Sequence, residues 1–314
     1  MLDYRSHTFL EVYRQRSYTR AARLLLISQP AVSQHIRFLE THYGCSLFAK
    51  TAHGVEPTRA ADMLYQQILT MENDERRLKT EIMDLASQHD SPQYVPLIFG
   101  CTRTIGDYVA PRLVTAHLEK NPDSSVVLQT GNTRSLVHAL EDGQIDFALV
   151  EGSFDRSRFS FEVLSNERYV AVAHANALPA CSSSERTRPN SIRDLLNERL
   201  ILREAGSGTR EILTKHLAAR DLTPFDFAQV IELGSIPAIK ACISAGQGIT
   251  FIYRAAVEVE LAEGKFVDVT PFDFEIEHDF CLIWQQGSHY APRYRALCNQ
   301  WRKLLETCCK NPLE

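Results

Sequence analysis

The stretch that most constrains this chain is SYTRAARLLLISQPAVSQHIRFLE, Ser17 to Glu40. Its apolar residues Ala21, Ala22, Leu24 and Leu25, then Val32, Ile36 and Leu39, recur at helical spacing on either side of Ser28-Gln29-Pro30. That spacing predicts two short amphipathic helices joined by a tight turn. Pro30 suits the first turn of the second helix, where its missing N–H would have had no intrahelical acceptor, and Ser28 or Gln29 supplies the cap. With the apolar side turned inward, Ser33, Gln34 and Arg37 fall on or near the opposite face. Hydroxyl, amide and guanidinium groups are the ones that reach base edges and phosphates in a major groove, so the second helix reads as a DNA-recognition helix.

The surroundings extend that reading. Up to Ala61 the chain carries eight basic residues against four acidic ones, a net of +4 in a protein whose total is −5. Positive charge is therefore concentrated at one end of an acidic body, as nucleic-acid contact confined to that end requires. A first helix is expected from Tyr4 to Arg16, with Phe9, Leu10, Val12 and Tyr13 on its buried side. Gly44 suits the left-handed position past the end of the third helix. Beyond it SLFAKTAHGVEPTRAA alternates and turns at His53-Gly54, which predicts a small hairpin, a wing. Lys50 and His53 either project from it toward a phosphate backbone or sit in a solvated loop. From Ala60 to about Gln88 a helical run without Gly or Pro carries Met63, Leu64, Ile68, Leu69, Met71, Leu78, Ile82, Met83 and Leu85, as either a coiled-coil or a core helix would. The polar, proline-bearing SQHDSPQYVP at 87–96 reads as a hinge.

In residue type and spacing, the two quoted stretches resemble the winged helix-turn-helix of the LysR-type transcriptional regulators, with departures from the usual pattern at Lys50, Pro57 and Ala61. The likeness is close over this first domain and looser over nearly the whole chain. It implies a DNA-binding domain over 1–61, a linker and dimerisation helix with its hinge over 62–90, and an effector-binding domain over 91–314. Pairing through the linker matters because two recognition helices on one duplex need a two-fold partner to set half-site spacing. The implied partners are double-stranded DNA, a small-molecule effector, further copies of the chain as a homodimer or homotetramer, and the transcription machinery. The candidate DNA contacts are Thr19, Arg20, Ser28, Gln29, Pro30, Ser33, Gln34, Arg37, Lys50 and His53.

The 314 residues suit two or three domains. From Leu97 onward strands such as PLIFGCT, SSVVLQT and IDFALV alternate with helices expected from about Gly106 and from Thr133. A second set follows: RYVAVA, RLILRE, AQVIEL and GITFI with helices from Thr209, Ser235 and Ala255, then CLIW and a last helix from Pro292. This alternation predicts an α/β fold with right-handed crossovers and a mostly parallel sheet. Two such sets with crossing connections near Ser165 and Thr270 resemble the two-lobed, periplasmic-binding-protein-like effector domain of the same family. Lobe one spans about 91–165 and 270–314, and lobe two about 166–269.

In open α/β sheets ligands collect beyond the carboxyl ends of strands, where helix N-termini present free N–H groups. Three hydroxyl- and glycine-rich turns lie at such places: Cys101 to Gly106 with Thr102, Arg103 and Thr104; Thr130 to Thr133 with Gly131 and Asn132; and Glu204 to Arg210, flanked by Arg203. In the last, Gly206 and Gly208 let backbone amides approach closely while Ser207 and Thr209 add donors, although the same turn also serves as a sharp reversal and cap. Ser235 either offers a further helix terminus to the cleft or simply caps its own helix. Glu151 follows IDFALV and lines the opposite side, where an acid opposes an anion unless it pairs with Arg203 or Arg210. The expected ligand is a small anion (a sulfur oxyanion, a carboxylate or a phosphorylated metabolite), and no cofactor is called for.

The function that follows is a ligand-responsive, sequence-specific transcriptional regulator. Two alternatives use the same scaffold: a thiol-based redox sensor centred on Cys101, and an enzyme fused to a DNA-targeting domain. No GxSxG, HExxH or GxxxxGK[ST] pattern occurs, so no catalytic residue is assigned. The eight cysteines show no CxxC pair and no zinc-site spacing, and no apolar run approaches the roughly 20 residues that span a bilayer. A reduced, cytoplasmic protein without a metal site or membrane association is expected.

Overall fold

The computed structural model describes residues 3–51, 54–86, 96–177 and 188–310. The chain divides into two compact units, one comprising 1–93 with 141–144 and 285–291, the other the remainder. His53 lies outside the described residues, as does the expected hinge at 87–96 apart from Pro96.

The first unit contains helices α1 (Tyr4–Gln15), α2 (Tyr18–Leu24) and α3 (Gln29–Tyr43), a hairpin of β1 (Phe48–Thr51) and β2 (Gly54–Pro57), and the long α4 (Arg59–Ala86). Each of the first three helices is started by a short polar side chain that satisfies free N–H groups: Asp3 accepts from Arg5 and Ser6, Ser17 from Arg20, and Ser28 from Ala31. Gln29 is thus the first residue of α3 rather than its cap, and Gly44 closes the helix at φ +69°. One core gathers Phe9, Val12, Ala21, Val32 and Ile36 with Leu47, Phe48 and Val55 of the wing and Ile68 and Leu69 of α4. The inward placement expected of Leu24 and Leu25 does not occur. Leu24 is 61% exposed and Leu25 only partly covered, because α2 is seven residues long and its buried pair is Ala21-Ala22.

The wing is tied down at both ends. Glu40 Oε1 accepts from the Leu47 N–H at 2.8 Å, joining α3 to the hairpin. The Val55 N–H donates to Arg16 O at 3.1 Å, which brings the Gly54 backbone so close that a Cβ there would lie 2.4 Å from that carbonyl oxygen. Gly54 also sits at φ +144°, where side chains are rarely found. Gly54→Ala is expected to cost about 2 kcal/mol, read as a lower melting temperature of the first unit, since backbone must move to admit one methyl group. An unchanged melt would mean that the hairpin lifts freely from α1.

The second unit is built on strands β3 (Leu97–Thr102), β4 (Val126–Gly131), β5 (Phe147–Val150), β6 (Phe159–His174), β7 (Arg199–Arg203), β8 (Gln229–Leu233), β9 (Thr250–Tyr253), β10 (Phe266–Asp268) and β11 (Ile276–Gln285). Its helices are α5 (Arg103–Tyr108), α6 (Ala110–Lys120), α7 (Thr133–Glu141), α8 (Gly208–Ala218), α9 (Ile236–Ser244), α10 (Glu258–Ala262) and α11 (Ala291–Lys310). The main sheet has the order β10-β6-β11-β5-β3-β4, with β9 also on β6, while β7 and β8 form a separate parallel pair. It is mixed rather than mostly parallel. β3 runs parallel to β4 and β5, and β7 to β8, but β11 runs antiparallel to β5, and β6 antiparallel to β9 and β10. The antiparallel pairs all involve β6 and β11, the strands that carry the chain between two groups of elements without a crossover helix.

Strand alternation builds a core on each side of β3 and β5. Phe99 and Phe147 stack at 5.0 Å and meet Trp301 of α11, whereas Ala148, Val150 and Ile283 pack with Leu136, Ala139 and Leu140 of α7. Both faces are covered, which is why FALV reads as an unbroken apolar run. A further core joins Val170 and Val172 of β6 to Ile201 of β7, Ile239 and Ile243 of α9 and Ile252 of β9. The helix expected from about Gly106 is two helices, α5 and α6, with a break at Val109. The one from Ala255 is a 3-10 turn, Arg254–Ala256, followed by the short α10.

Candidate nucleic-acid face and effector cleft

On α3 the buried ridge Val32, Ile36 and Leu39 leaves the opposite side free. Gln34 and Arg37 are exposed there, and Ser33 is half-buried, its hydroxyl accepting from Gln29 Nε2 at 3.0 Å. Thr19 and Arg20 on α2, Ser28, Gln29 and Pro30 at the start of α3, and Lys50 on β1 are all exposed as well. The nearby Arg5 is already occupied: it pairs with Asp3 at 3.1 Å and stacks over Phe38 at 3.8 Å. It therefore offers less free charge than its position in the sequence suggests.

In the second unit the carboxyl ends of β3, β4, β5 and β7 converge on a cleft of about 370 Å³, counted with its open mouth. Thr102, Arg103, Gly131, Asn132, Thr133, Glu151, Arg203, Ser207 and Gly208 line it, together with Glu204. Parallel registry explains the meeting, since Thr102 pairs with Gly131 at the ends of β3 and β4 and each strand then turns into a helix. The Arg203 turn reaches the same place through α8, whose first residue, Gly208, passes so near Glu151 that a Cβ would lie 3.3 Å from its Cγ.

Glu151 is 3% exposed and is the most unusual group in the cleft. Its Oε1 accepts from Thr104 Oγ1 at 3.1 Å and Thr209 Oγ1 at 3.3 Å, so these two hydroxyls sit beneath the cleft rather than in it. Tyr169 OH, 2.9 Å from Thr209 O, holds the second of them in place from below. Burial pushes the Glu151 carboxyl up to about 7, against the pull of the threonine hydroxyls and the Arg203 charge. The pairing of Glu151 with Arg203 or Arg210 considered from sequence does not form.

Arg203, 5% exposed, instead grips its sequence neighbour, with Nε to Glu204 Oε2 at 2.7 Å and Nη2 to Glu204 Oε1 at 3.0 Å. Arg103 reaches the same carboxylate at 3.3 Å and Gly234 O at 2.9 Å. Burial alone would raise the Glu204 carboxyl, but its bonds to Arg203 and the two guanidinium charges hold it below the usual range. Glu204 lies in the turn singled out from sequence, where it was given no role, yet it lines the cleft. Neighbours on a strand point to opposite faces, and only the turn at the end of β7 folds them together.

Besides Thr104 and Thr209, two further candidates stand apart from the cleft lining. Arg210 Nη1 is committed to Glu232 at 2.5 Å and Arg203 O at 3.1 Å, and Ser235 caps α9 by accepting from Ala238 N. Cys101, at the end of β3, is fully buried, and burial pushes its thiol well above the usual value. It is therefore held as a protonated thiol, the form that reacts poorly with oxidants.

The chain matches the family model for the LysR substrate binding domain over residues 96–306 and that for the bacterial regulatory helix-turn-helix protein, lysR family, over residues 5–62. The protein belongs to the LysR family. It is 30% identical over 256 residues to the HTH-type transcriptional regulator CysL of Bacillus subtilis, covering 81% of each chain. Among solved LysR-type structures, full-length LysG from Corynebacterium glutamicum with bound effector Arg superposes with a TM-score of 0.64 at 17% identity, over 96% of this chain and 98% of that one. The CcmR regulatory domain of Synechocystis in complex with 2-PG gives 0.57 at 22% identity, over 67% and 96%. As a LysR-type protein, this chain is a ligand-responsive DNA-binding transcriptional regulator. No helix among the described residues is long and apolar enough to cross a membrane.

Proposed function

We propose that α3 enters the major groove with Ser33, Gln34 and Arg37 toward base edges, while Thr19, Arg20, Ser28, Gln29, Pro30 and Lys50 meet the phosphate backbone. The cleft at the ends of β3, β5 and β7 binds a small effector with an anionic group, in the classes of sulfur oxyanions, carboxylates and phosphorylated metabolites. The regulator acts in the cytoplasm as a homodimer or homotetramer paired through α4, along which Met63, Met71, Leu78, Ile82 and Met83 lie exposed. LysG with Arg and CcmR with 2-PG support a small-molecule ligand for a domain of this fold.

Arg203 carries the reading of the cleft: a buried guanidinium at its wall that pairs directly with Glu204 and still keeps Nη1 without a partner among the described residues. The cleft is also crossed by bonds between elements on its two sides, Arg103 to Glu204 and Gly234 O, and Thr104 through Glu151 to Thr209. A ligand that competes for these groups stabilises one arrangement of the two sides over another by its difference in affinity for them, which is the form that coupling to DNA geometry must take.

A thermal-shift screen of anionic metabolites identifies the effector, because binding to the native state raises its stability by mass action. With that effector, Ser207→Ala, which alters a lining hydroxyl, and Thr209→Val, which removes a hydroxyl holding Glu151 from beneath, are expected to lower affinity about tenfold each while leaving operator binding unchanged. Calorimetry showing undiminished affinity in both variants would remove Ser207 from the site and the Thr209 support of Glu151 from its binding.

A further inference from the structure

Three side chains at the cleft have a buried polar atom without a hydrogen-bond partner among the described residues: Thr102 Oγ1, Glu151 Oε2 and Arg203 Nη1. The residues are 4%, 3% and 5% exposed. Buried polar atoms are almost always satisfied, and leaving one unmade is costly, so three together mark a place where a further molecule completes the bonding. The atoms also specify what that molecule offers. Arg203 Nη1 can only donate. Glu151 Oε1 already takes two threonine hydroxyls, whereas Oε2 forms no full hydrogen bond beyond the pull of the nearby Thr102 hydroxyl on the carboxyl, and in a carboxylate it can only accept. Thr102 can do either.

The charges point the same way. Arg103 and Arg203 are balanced by Glu204 and Glu151, so the cleft does not carry the excess positive charge that a bare dianion needs. We propose that the effector is an anion that brings its own hydrogen-bond donor, its oxygen on Arg203 Nη1 and its O–H or N–H on Glu151 Oε2. This deepens the reading of the cleft as a small-anion site and rests on it. A phosphate-type oxyanion that keeps a proton, or a carboxylate with an adjacent hydroxyl or ammonium group, satisfies both atoms. Sulfate and simple carboxylates present acceptors only and set their oxygens against Glu151. Glu204 meanwhile occupies the rest of the Arg203 fork at 2.7 and 3.0 Å, as an internal carboxylate that the ligand must share or displace.

The test uses the full-length protein at about pH 8, where Glu151 is ionised, and two matched pairs of probes: phosphate against sulfate, and lactate against propionate. Affinity is measured by calorimetry and by thermal shift. In at least one pair the donor-bearing member is expected to bind tenfold or more tightly, and the pair that does so tells an oxyanion site from a hydroxycarboxylate site. Glu151→Gln retains an oxygen for the threonines and turns the unpartnered acceptor Oε2 into an N–H donor. It is therefore expected to reverse the preference toward sulfate or propionate. Arg203→Lys should weaken every probe that binds the cleft, and it keeps the charge should Arg203→Gln fail to fold. Equal binding within both pairs, or no binding of phosphate and lactate, overturns the proposal. Equal binding that is still weakened by Arg203→Lys leaves the anion cleft standing. Binding that ignores both substitutions overturns the cleft reading as well.

Discussion

At pH 8 the Glu151→Gln protein is expected to be more stable than the native one by about 3 kcal/mol, and the advantage should disappear toward pH 4.5. Glu151 is a buried acid whose folded-state value lies at about 7 against an ordinary 4.5, so the folded state binds its proton more tightly than the unfolded state does. The native protein is therefore most stable, as far as this group is concerned, below the unfolded value. It loses that stability as pH rises from about 4.5 to about 7, and above 7 it bears the full cost of a buried carboxylate. Moving this carboxyl from 4.5 to about 7 corresponds to about 3 kcal/mol. Glutamine removes the charge and keeps an oxygen for Thr104 and Thr209, so its own stability has no such slope. The other titratable groups facing Glu151 do not interfere. Burial keeps Cys101, Tyr169 and Tyr253 protonated well past this range. Denaturant titrations of both proteins between pH 5 and pH 8 give the difference directly. A difference that stays flat across that range would place the Glu151 titration at the ordinary value and remove the case for a strained carboxylate in the cleft.

The second large effect concerns DNA. Gln34→Ala and Arg37→Ala should each weaken binding to the specific operator by about 1 to 3 kcal/mol, and relax the preference for one base pair, if each side chain holds a base edge. Both residues are exposed, so the melting temperature and effector binding should not change. Ile36→Ala provides the contrast. One residue away from Arg37 but 1% exposed, it should lose about 2 to 5 kcal/mol of stability from the first unit, and DNA binding only through unfolding. Footprints of Gln34→Ala and Arg37→Ala that match the native protein would move sequence recognition off this helix.

How much of this was readable beforehand depends on how local the physics is. The helices of the first unit follow from spacing, a serine cap, a proline and a glycine, all of which act within a few residues, and they appear within a residue or two of where they were expected. The cleft was legible to the extent that strand ends and helix starts were: nine of its lining residues come from three turns and one strand end chosen for their hydroxyls, glycines and charges. Leu24 shows the limit of local reasoning, since periodicity counts an apolar residue as buried whether or not a short helix has a face to spare for it.

What the sequence by itself determined is therefore the set of elements and the chemistry at their ends, because caps, turns and periodicity are short-range. Partner choice was decided only by the tertiary structure. That Arg203 takes Glu204, that Arg210 turns to Glu232, that Glu151 is left with two threonines and one unanswered oxygen, and that β6 and β11 run against the parallel strands all depend on which distant segments are brought within hydrogen-bond reach. A charged side chain in a sequence carries no record of its counter-charge. Only the folded chain sets the burial that makes the choice of partner matter.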